Sequence, residues 1–469
     1  MNTVASPLRR ACQVAPDATA IVCGERTFTY AQTAARCRRL VGALHGLGLG
    51  RGDRVAVVGP NDHRYLELYL AIPAAGMVLV PLNARHTDAE LRYALEDSGT
   101  RVVFAARPAA GLASAVERVV AWEEGYDALL AAAPEGEFDP EVTEETLAGL
   151  FYTGGTTGAA KGVMLTHRNL VANAWHFLAR WPFDEQTRWL VAAPLFHAAG
   201  TIAVLATVWG AGRQVMLPAF DADAALDLIA AERVTHTLMV PTMLAALTEA
   251  QRARPRDVSS LRWISHGGSP IARETVRRAA ETFPDAELLH IYGATETAPI
   301  ATLLSHEQRL VGSPVGGSCG QPAIGVDVRV VEPASGRALA PGEVGEVLVR
   351  GANVMRGYWN KPAETAEALS GGWYRSGDLG YLDEHAHLHL VDRAKDMIVT
   401  GGENVYCSEV EDALFAHPAV LEATVFGVPD ARWGEAVHAV VVPRAEVEPA
   451  ALIEHCRARI AAYKLPKRI

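Results

Sequence analysis

The sequence predicts an α/β protein in which parallel-type sheets are flanked by helices, and two observations support this fold class. Segments with helical spacing of apolar residues alternate with short apolar strand-like runs, an order that favours parallel sheets covered by helices on both faces. Of the 469 residues, 49% are hydrophobic and 21% are charged, a composition typical of a globular protein. The length predicts roughly two to four domains.

The N-terminal region shows the alternation of helices and strands most clearly. Thr29 can cap a helix that ends near Leu47, because Leu40 and Leu44 recur with helical spacing. The glycine-rich run 46–52 follows this helix and precedes a strand, so it predicts a helix C-cap and turn and not a dinucleotide site. The next expected elements are a strand at 54–58, a helix at 65–75, a strand at 78–81, a helix around 91–95 and a strand at 102–104.

The stretch 190–212 contains no Asp, Glu, Lys or Arg and is long enough to cross a bilayer. However, Pro194, Gly200 and Gly210 interrupt it, and its first residues resemble a strand. We therefore predict a buried strand, a turn and a core helix in this stretch.

The pattern changes near residue 325, where β-like runs at 326–331 and 345–350 flank the turn Pro341-Gly342. This pattern predicts a β-rich subdomain over about 325–392. The predicted domains are an N-terminal domain over 1–392 and a small α/β C-terminal domain over 393–469. Within the C-terminal domain we expect a strand at 396–399, a helix from Ser408, a strand at 423–428 and a helix at 449–462.

Charge and cysteine spacing exclude some classes of protein. The net charge of −11 argues against a nucleic-acid-binding protein, which needs a basic face. The six cysteines form no C-x-x-C pair and no Cys/His spacing matches a zinc motif, so we expect reduced thiols in a cytoplasmic protein. The alternating His385, His387 and His389 predict a solvated strand in preference to a metal site. The sequence leaves open whether the protein is a homodimer.

The most informative motif is YTGGTTGAAKG, which runs from Tyr152 to Gly162. Its glycines allow close approach of the backbone to a ligand, while its threonines and Lys161 supply hydroxyl donors and positive charge. Such a loop suits the phosphates of a nucleotide. The P-loop of NTPases is excluded because no hydroxyl residue follows Lys161, and a polar surface loop remains the alternative.

Further motifs follow this loop: IYGATE at 291–296, WYRSGD at 373–378 and DRAKDMIVTGGENVY at 392–406. Together these motifs resemble, in order and over most of the chain, those of the ANL superfamily of adenylate-forming enzymes, in the branch of AMP-forming acyl-CoA synthetases. The sequence departs from the usual pattern at Gly154, where serine is common, and at Ala160 and Cys407, where proline is common. We expect none of these changes to abolish nucleotide binding.

The resemblance implies ATP, Mg²⁺ and coenzyme A as cofactors, and a small C-terminal domain that is mobile. Lys161 and the loop would bind the β- and γ-phosphates, Thr295 would donate to the α-phosphate, and Glu296 would hold Mg²⁺. The other loop positions included in this nucleotide site are Thr153, Gly154, Gly155, Thr156, Thr157 and Gly158.

The same resemblance implies roles for the adenosine-binding residues. Tyr292, next to Gly293, would offer its ring to the adenine. Asp378 would accept hydrogen bonds from the ribose hydroxyls, and Arg393 would reach the ribose or a phosphate. Plain core packing is the alternative for Tyr292, a turn residue is the alternative for Asp378, and a surface helix cap is the alternative for Glu296.

For the second half-reaction, the resemblance places a hinge at Lys395 and a passage for the pantetheine arm of CoA at Gly401, Gly402 and Glu403. Trp433 matches a segment near the CoA site, or is a core aromatic residue. A lysine in a G-K motif, which relatives carry after the YKLP segment, has no match in these 469 residues. A trimmed chain and a genuine loss of adenylation are the alternatives.

The class of carboxylic acid substrate is predicted from the segment Pro194 to Gly200. This segment resembles the pocket motif of fatty and aromatic acyl-CoA synthetases. His197 would lie near the carboxylate, and the remaining positions of the substrate and nucleotide cleft are Ala198, Ala199, Gly200, Gly267, Gly268, Ser269 and Ile291. We expect an apolar monocarboxylic acid, fatty or aromatic. The alternatives are an enzyme that loads a carrier protein and a non-catalytic adenylate-binding protein.

Overall fold

The computed structural model describes residues 2–107, 110–155, 158–393, 396–400, 403–430 and 433–469. Most of its helices lie between consecutive strands, as expected for an α/β protein. The α-helices of the described residues are α1 (Ala5–Val14), α2 (Tyr30–Gly46), α3 (His63–Ala74), α4 (Asp88–Ser98), α5 (Asp127–Ala132), α6 (His167–Leu178), α7 (Ala198–Trp209), α8 (Ala222–Glu232), α9 (Pro241–Ala253), α10 (Arg273–Thr282), α11 (Glu307–Leu310), α12 (Pro362–Ala368), α13 (Cys407–Phe415) and α14 (Pro449–Arg457).

A nine-stranded sheet carries much of the predicted nucleotide and acid site at its strand ends. The strands from β13 to β1 pair in parallel, and the outer strands pair antiparallel. In spatial order the strands are β15 (Gln321–Pro322), β14 (Thr302–Leu304), β13 (Glu287–Tyr292), β12 (Trp263–Gly267), β11 (His236–Met239), β9 (Arg188–Val191), β10 (Arg213–Met216), β1 (Thr19–Cys23) and β2 (Arg26–Thr29).

A seven-stranded sheet carries the glycine-rich motif. Its strands from β7 to β6 pair in parallel, whereas β18, β8 and β7 pair antiparallel. In spatial order the strands are β18 (Gly357–Tyr358), β8 (Gly158–Thr166), β7 (Leu147–Gly155), β4 (Val78–Leu82), β3 (Arg54–Val58), β5 (Val102–Ala105) and β6 (Arg118–Ala121). The predicted α/β class with parallel-type sheets is therefore confirmed.

The strands of two smaller sheets pair antiparallel. The first contains β16 (Val326–Val331), β17 (Gly345–Gly351), β20 (Trp373–Leu382), β19 (Leu369–Ser370) and β21 (Leu388–Arg393). The second contains β23 (Glu403–Val405), β22 (Ile398–Thr400), β25 (Gly434–Pro443) and β24 (Val420–Asp430), and its residues contribute to a hydrophobic cluster of their own.

Several local predictions agree with these elements. The Thr29 side chain accepts from the Gln32 amide, and the Gln32 side chain accepts from the Thr29 amide, which makes a full capping box at the start of α2. The uncharged stretch 190–212 divides into the end of β9, a turn and the core helix α7. Among the described residues, no helix combines the length and the apolar character needed to cross a bilayer.

Two predictions differ from the structure. The helix expected over 449–462 ends at Arg457, because the amides of Arg459 and Ile460 both donate to the carbonyl of Cys456 and close the last turn. The three alternating histidines do not share one strand, since only His389 lies within β21. His387 Nδ1 is 3.1 Å from an Asp383 oxygen, and the His389 ring stacks on Tyr381 at 4.7 Å.

A buried histidine on β11 predicts a loss of stability in acid. His236 stacks on Trp263 with ring centroids 4.2 Å apart, and its Nε2 lies 3.1 Å from the Pro182 carbonyl oxygen. Burial lowers the pKa of His236 to about 3, against an ordinary value of about 6.5 in the unfolded chain. The unfolded state therefore binds the proton more readily, and the stabilisation is complete above pH ~6.5 and decreases as pH falls towards 3.

We expect His236 alone to lower the free energy of unfolding by about 2 kcal/mol between pH 6.5 and pH 5. The measurement is the shift of the urea unfolding midpoint between pH 7 and pH 5, compared with the same shift in His236→Phe. The variant should show the smaller shift, and equal shifts in the two proteins would contradict the prediction.

Candidate active site

The glycine-rich motif lies on the paired antiparallel strands β7 and β8, with Thr153 opposite Lys161 and Gly155 opposite Gly158. Thr156 and Thr157 lie outside the described residues. Gly154 is exposed, and a Cβ placed there would meet no atom within 4 Å. The serine that is common at this position would therefore fit, and its replacement by glycine removes a hydroxyl without changing the packing.

Tyr358 contacts both Lys161 of the glycine-rich motif and Glu296, the predicted metal ligand. Strand β18 pairs with β8, and the Trp359 amide donates to the Gly162 carbonyl at 2.8 Å. The Lys161 ammonium lies over the Tyr358 ring, 5.0 Å from its centroid, a cation–π contact. The Tyr358 hydroxyl donates to Glu296 Oε1 at 2.8 Å. Burial, together with the Glu296 charge, raises the pKa of Tyr358, which keeps its hydroxyl protonated as a donor.

Glu296 lies in a short 3₁₀ turn, Thr295–Thr297, that follows β13. The Met355 amide donates to its carbonyl at 2.7 Å, and Asn353 Nδ2 donates to the carbonyls of Thr297 and Ile300. These bonds fix the turn, and Glu296 as a whole residue is 9% exposed. The tyrosine bond uses one lone pair of the carboxylate, and its other lone pairs can accept a cation. A hard divalent ion such as Mg²⁺ prefers carboxylate oxygen, so Glu296 fits the predicted ion.

Tyr292 and Asp378 are in direct contact, although they are 86 positions apart in the chain. The Tyr292 hydroxyl donates to Asp378 Oδ2 at 2.6 Å, and burial with the Asp378 charge raises the pKa of Tyr292 well above its ordinary value. A Cβ at Gly293 would lie 1.9 Å from the Pro299 carbonyl oxygen, so only glycine fits there. Arg393 pairs with Asp378 in the β20–β21 register, but its side chain lies outside the described residues.

His197 is the N-cap residue of α7, and its side chain is exposed to solvent. Its ring is 4.5 Å from that of Phe196, centroid to centroid. Although the side chain is exposed, the surrounding protein crowds it, and this desolvation, with the charges of His86 and Arg85, lowers the pKa of His197. The imidazole is therefore biased towards its neutral form.

The small residues after His197 have different surroundings. Ala198 is in the main hydrophobic core, and a Cβ at Gly200 would lie 2.0 Å from the Pro194 carbonyl oxygen. The glycine is thus needed for a close backbone approach, whereas Ala199 is only partly buried. Across the cleft, Gly267 pairs with Ile291, and a Cβ there would be 2.1 Å from the Ile291 carbonyl oxygen. Gly268 has φ +85° and is exposed together with Ser269.

Most residues predicted for the CoA step lie outside the described residues, namely Lys395, Gly401 and Gly402. Glu403 is exposed, and Trp433 is 41% exposed, which is unlike a core aromatic residue. At Cys407, where relatives carry proline, the backbone amide donates to Asp392 Oδ2 at 2.6 Å. Proline could not make this bond, so the cysteine adds a contact at the start of α13.

Sequence reasoning missed Tyr358 and Asn353. Both follow the strand β17 and reach the Glu296 turn from more than 50 positions away. The Gly-Tyr-Trp run at 357–359 was the available signal, because a glycine beside two aromatic residues marks a close backbone approach. Gly357 has φ +147° and its Cβ would meet the Thr365 side chain at 2.6 Å.

Comparison with known proteins agrees with this geometry. A model of the AMP-binding enzyme family matches residues 8–359, and a model of the AMP-binding enzyme C-terminal domain matches 409–469. The chain is 42% identical to a feruloyl-CoA synthase of Amycolatopsis sp over 99% of this chain and 93% of that protein. It is 36% identical to the fatty acid–[acyl-carrier-protein] ligase ScoC of Streptomyces coeruleorubidus, over 97% of this chain and 89% of that one.

Among solved structures, the o-succinylbenzoate CoA synthetase MenE of Bacillus subtilis, in complex with its acyl-adenylate intermediate, superposes with a TM-score of 0.90. The two sequences are 31% identical, and the match covers 100% of this chain and 94% of that chain. The chain therefore belongs to the AMP-binding enzyme family, in the acyl-CoA synthetase branch of the ANL superfamily.

Proposed function

We propose that this protein uses ATP and Mg²⁺ to activate an aromatic monocarboxylic acid as its acyl adenylate, with release of pyrophosphate, and then transfers the acyl group to coenzyme A. The observation that carries the proposal is the chain of contacts from Lys161 through Tyr358 to Glu296. It brings a cation and a metal-binding carboxylate together, as a triphosphate would require. Fatty acids are the alternative substrate class.

In the first half-reaction a carboxylate oxygen of the acid attacks the α-phosphorus, and the bond to pyrophosphate breaks. Lys161 would neutralise the outer phosphate oxygens, and Thr295 would donate to the α-phosphate. Glu296 would hold Mg²⁺, which would supply positive charge for the phosphates. His197, whose pKa is lowered by desolvation, would donate a hydrogen bond to the carboxylate of the acid.

An aromatic acid is favoured by the cleft and by the relatives. The Phe196 ring lies beside His197, and Gly268 and Ser269, which the sequence assigns to the same cleft, are small and exposed. The feruloyl-CoA synthase and MenE are both named for aromatic acids. The test is AMP release with and without CoA, from a panel of cinnamate-type acids and straight-chain fatty acids. Faster turnover of every fatty acid than of every aromatic acid would overturn the substrate assignment.

Loading of a carrier protein is the second candidate, because ScoC matches nearly the whole chain. Replacing CoA with a phosphopantetheinyl carrier protein in the same assay separates the two acceptors. We favour CoA, and we further propose that 393–469 is a mobile domain with its hinge at Lys395, as in relatives that perform both half-reactions. A cytoplasmic enzyme is consistent with the cysteines, all of which are free thiols.

Tyr358 is proposed as a positioning residue for Glu296 and Lys161. In Tyr358→Phe the ring under Lys161 remains, but the hydrogen bond to Glu296 is lost. We expect the Mg²⁺ concentration for half-maximal activity to rise by about tenfold or more, as for other residues that orient a metal ligand, with a smaller change in the KM for the acid. Tyr381→Phe, on β20, is the control and should behave like the wild type. An unchanged Mg²⁺ requirement in Tyr358→Phe would contradict the role.

A further inference from the structure

Three side chains that can bind a metal converge where β1 meets the start of α3. Cys23 is the last residue of β1, Asp62 is the N-cap of α3 and His63 is its first residue. One ligand atom from each residue lies within 4.8 Å of the other two, and among the described residues this is the one such group of three. None of these residues belongs to the proposed nucleotide or acid site.

The separations are close to those around a single tetrahedral ion. Cys23 Sγ is 3.7 Å from Asp62 Oδ2, His63 Nδ1 is 3.1 Å from the other oxygen, Oδ1, and one ligand atom of each residue lies within 4.8 Å of the other two. Zinc binds sulfur at about 2.3 Å and nitrogen or oxygen at about 2.0–2.1 Å, so neighbouring ligand atoms of a tetrahedral site lie roughly 3.3–3.6 Å apart. Small side-chain rotations would therefore bring all three residues onto one ion.

His63 supplies an independent observation. The residue is 1% exposed, and among the described residues neither ring nitrogen makes a hydrogen bond, although Nδ1 lies 3.1 Å from Asp62 Oδ1. The ring is held by stacking on Phe28, with centroids 4.9 Å apart. A buried imidazole without a hydrogen-bond partner is uncommon, because no new hydrogen bond offsets the free energy lost when the ring leaves water. A metal ion bound at Nδ1 would satisfy it.

The charges also match a divalent ion. A thiolate, a carboxylate and a neutral imidazole carry two negative charges in total, and a thiol ligand favours zinc over magnesium or calcium. Asp62 Oδ1 already accepts from the Arg64 amide at 2.8 Å. The Arg64 guanidinium, which would oppose a cation, pairs with Glu123 at 2.8 Å, and its Nε lies 3.7 Å from Asp62 Oδ1 and not from the Oδ2 that faces Cys23. Oδ2 therefore remains directed towards Cys23.

We propose that Cys23, Asp62 and His63 form a structural zinc site whose fourth ligand is water. Binding displaces the Cys23 thiol proton to solvent, so one proton is released for each ion bound. The ion would connect β1 of the nine-stranded sheet to α3, the helix that follows β3 of the seven-stranded sheet. The preceding residue, Asn61, already bridges the same junction, because its Nδ2 donates to the carbonyls of Val191, Ala193 and Leu217.

The test uses the purified protein after removal of metals with a chelator. We expect Co²⁺ to produce a thiolate-to-cobalt charge-transfer band, and calorimetry with ZnCl₂ to show one ion per chain and a raised melting temperature. Cys23→Ser should abolish the band and weaken zinc binding by at least about 100-fold, and His63→Gln should weaken it comparably.

Cys12→Ser is the matched control, because Cys12 is another half-buried thiol, whose Sγ lies 3.4 Å from the Tyr30 carbonyl oxygen. It should retain the band and the zinc affinity. A folded wild-type protein without the band, or equal zinc affinity in wild type and Cys23→Ser, would overturn the proposal. AMP release by Cys23→Ser should equal that of the wild type, so failure of the zinc site and failure of the proposed enzyme activity are distinguished.

Discussion

Glu296→Ala is expected to abolish turnover, with adenylate formation reduced by about 10³-fold or more. The carboxylate is the proposed Mg²⁺ ligand, and its loss removes both the charge that holds the ion and the acceptor for the Tyr358 hydroxyl. Loss of one preorganised electrostatic group typically costs about 10²–10³ in rate, and loss of a metal ligand affects every phosphate oxygen that the ion contacts. The measurement is ATP–pyrophosphate exchange over a range of Mg²⁺ concentrations.

Two further variants make the result specific. Glu296→Gln has the same shape and can still accept from Tyr358, so it tests the charge alone and should lose nearly as much activity. Glu364→Ala, in the first turn of α12, removes a carboxylate outside the site and should leave the rate unchanged. Normal exchange by Glu296→Gln at ordinary Mg²⁺ would disprove the metal assignment, provided that circular dichroism shows a folded protein.

Lys161→Ala is expected to weaken the use of ATP, with kcat/KM for ATP lower by about 10²–10³-fold. The ammonium is fixed by the β7–β8 hairpin and by its cation–π contact with Tyr358, so little entropy is lost when it meets a phosphate. The effect should appear in kcat/KM for ATP and not in the affinity for AMP, because AMP lacks the β- and γ-phosphates.

Lys361→Ala provides the control for this second prediction. Lys361 precedes α12 and lies 3.8 Å from Asp97, so its loss removes one positive charge from the same region but none from the hairpin. Wild-type kinetics are expected. If Lys161→Ala weakened AMP and ATP binding equally, the assignment of Lys161 to the outer phosphates would be contradicted.

Local elements were predictable from the sequence wherever the causes were local. The α2 helix begins at a capping box made within four residues, and the uncharged stretch 190–212 divides at Pro194, where an uninterrupted helix is unfavourable. The α/β class was also predictable, because the spacing of apolar residues that distinguishes helices from strands is a local pattern. The helix predicted over 449–462 ends earlier, at Arg457. The amides of Arg459 and Ile460 donate to the Cys456 carbonyl at this end, and no residue pattern in the sequence marks these bonds.

The site was predictable only in part. Its motifs identified Lys161, Glu296, Tyr292 and Asp378, since glycine-rich turns and charged residues are visible in the primary structure. Their contacts were not predictable: Tyr358 reaches Glu296 across 62 positions, and Tyr292 reaches Asp378 across 86. Such pairs depend on which strands become neighbours in a sheet.

The sequence by itself therefore determined the α/β class and the glycine-rich motif on which the proposed nucleotide site rests, because both arise from residues close together in the chain. Only the tertiary structure decided that Tyr358 lies between Lys161 and Glu296, and that Cys23 meets Asp62 and His63. The pairing of β18 with β8 and the packing of α3 against the end of β1 bring these side chains together, and no short-range spacing encodes such long-range contacts.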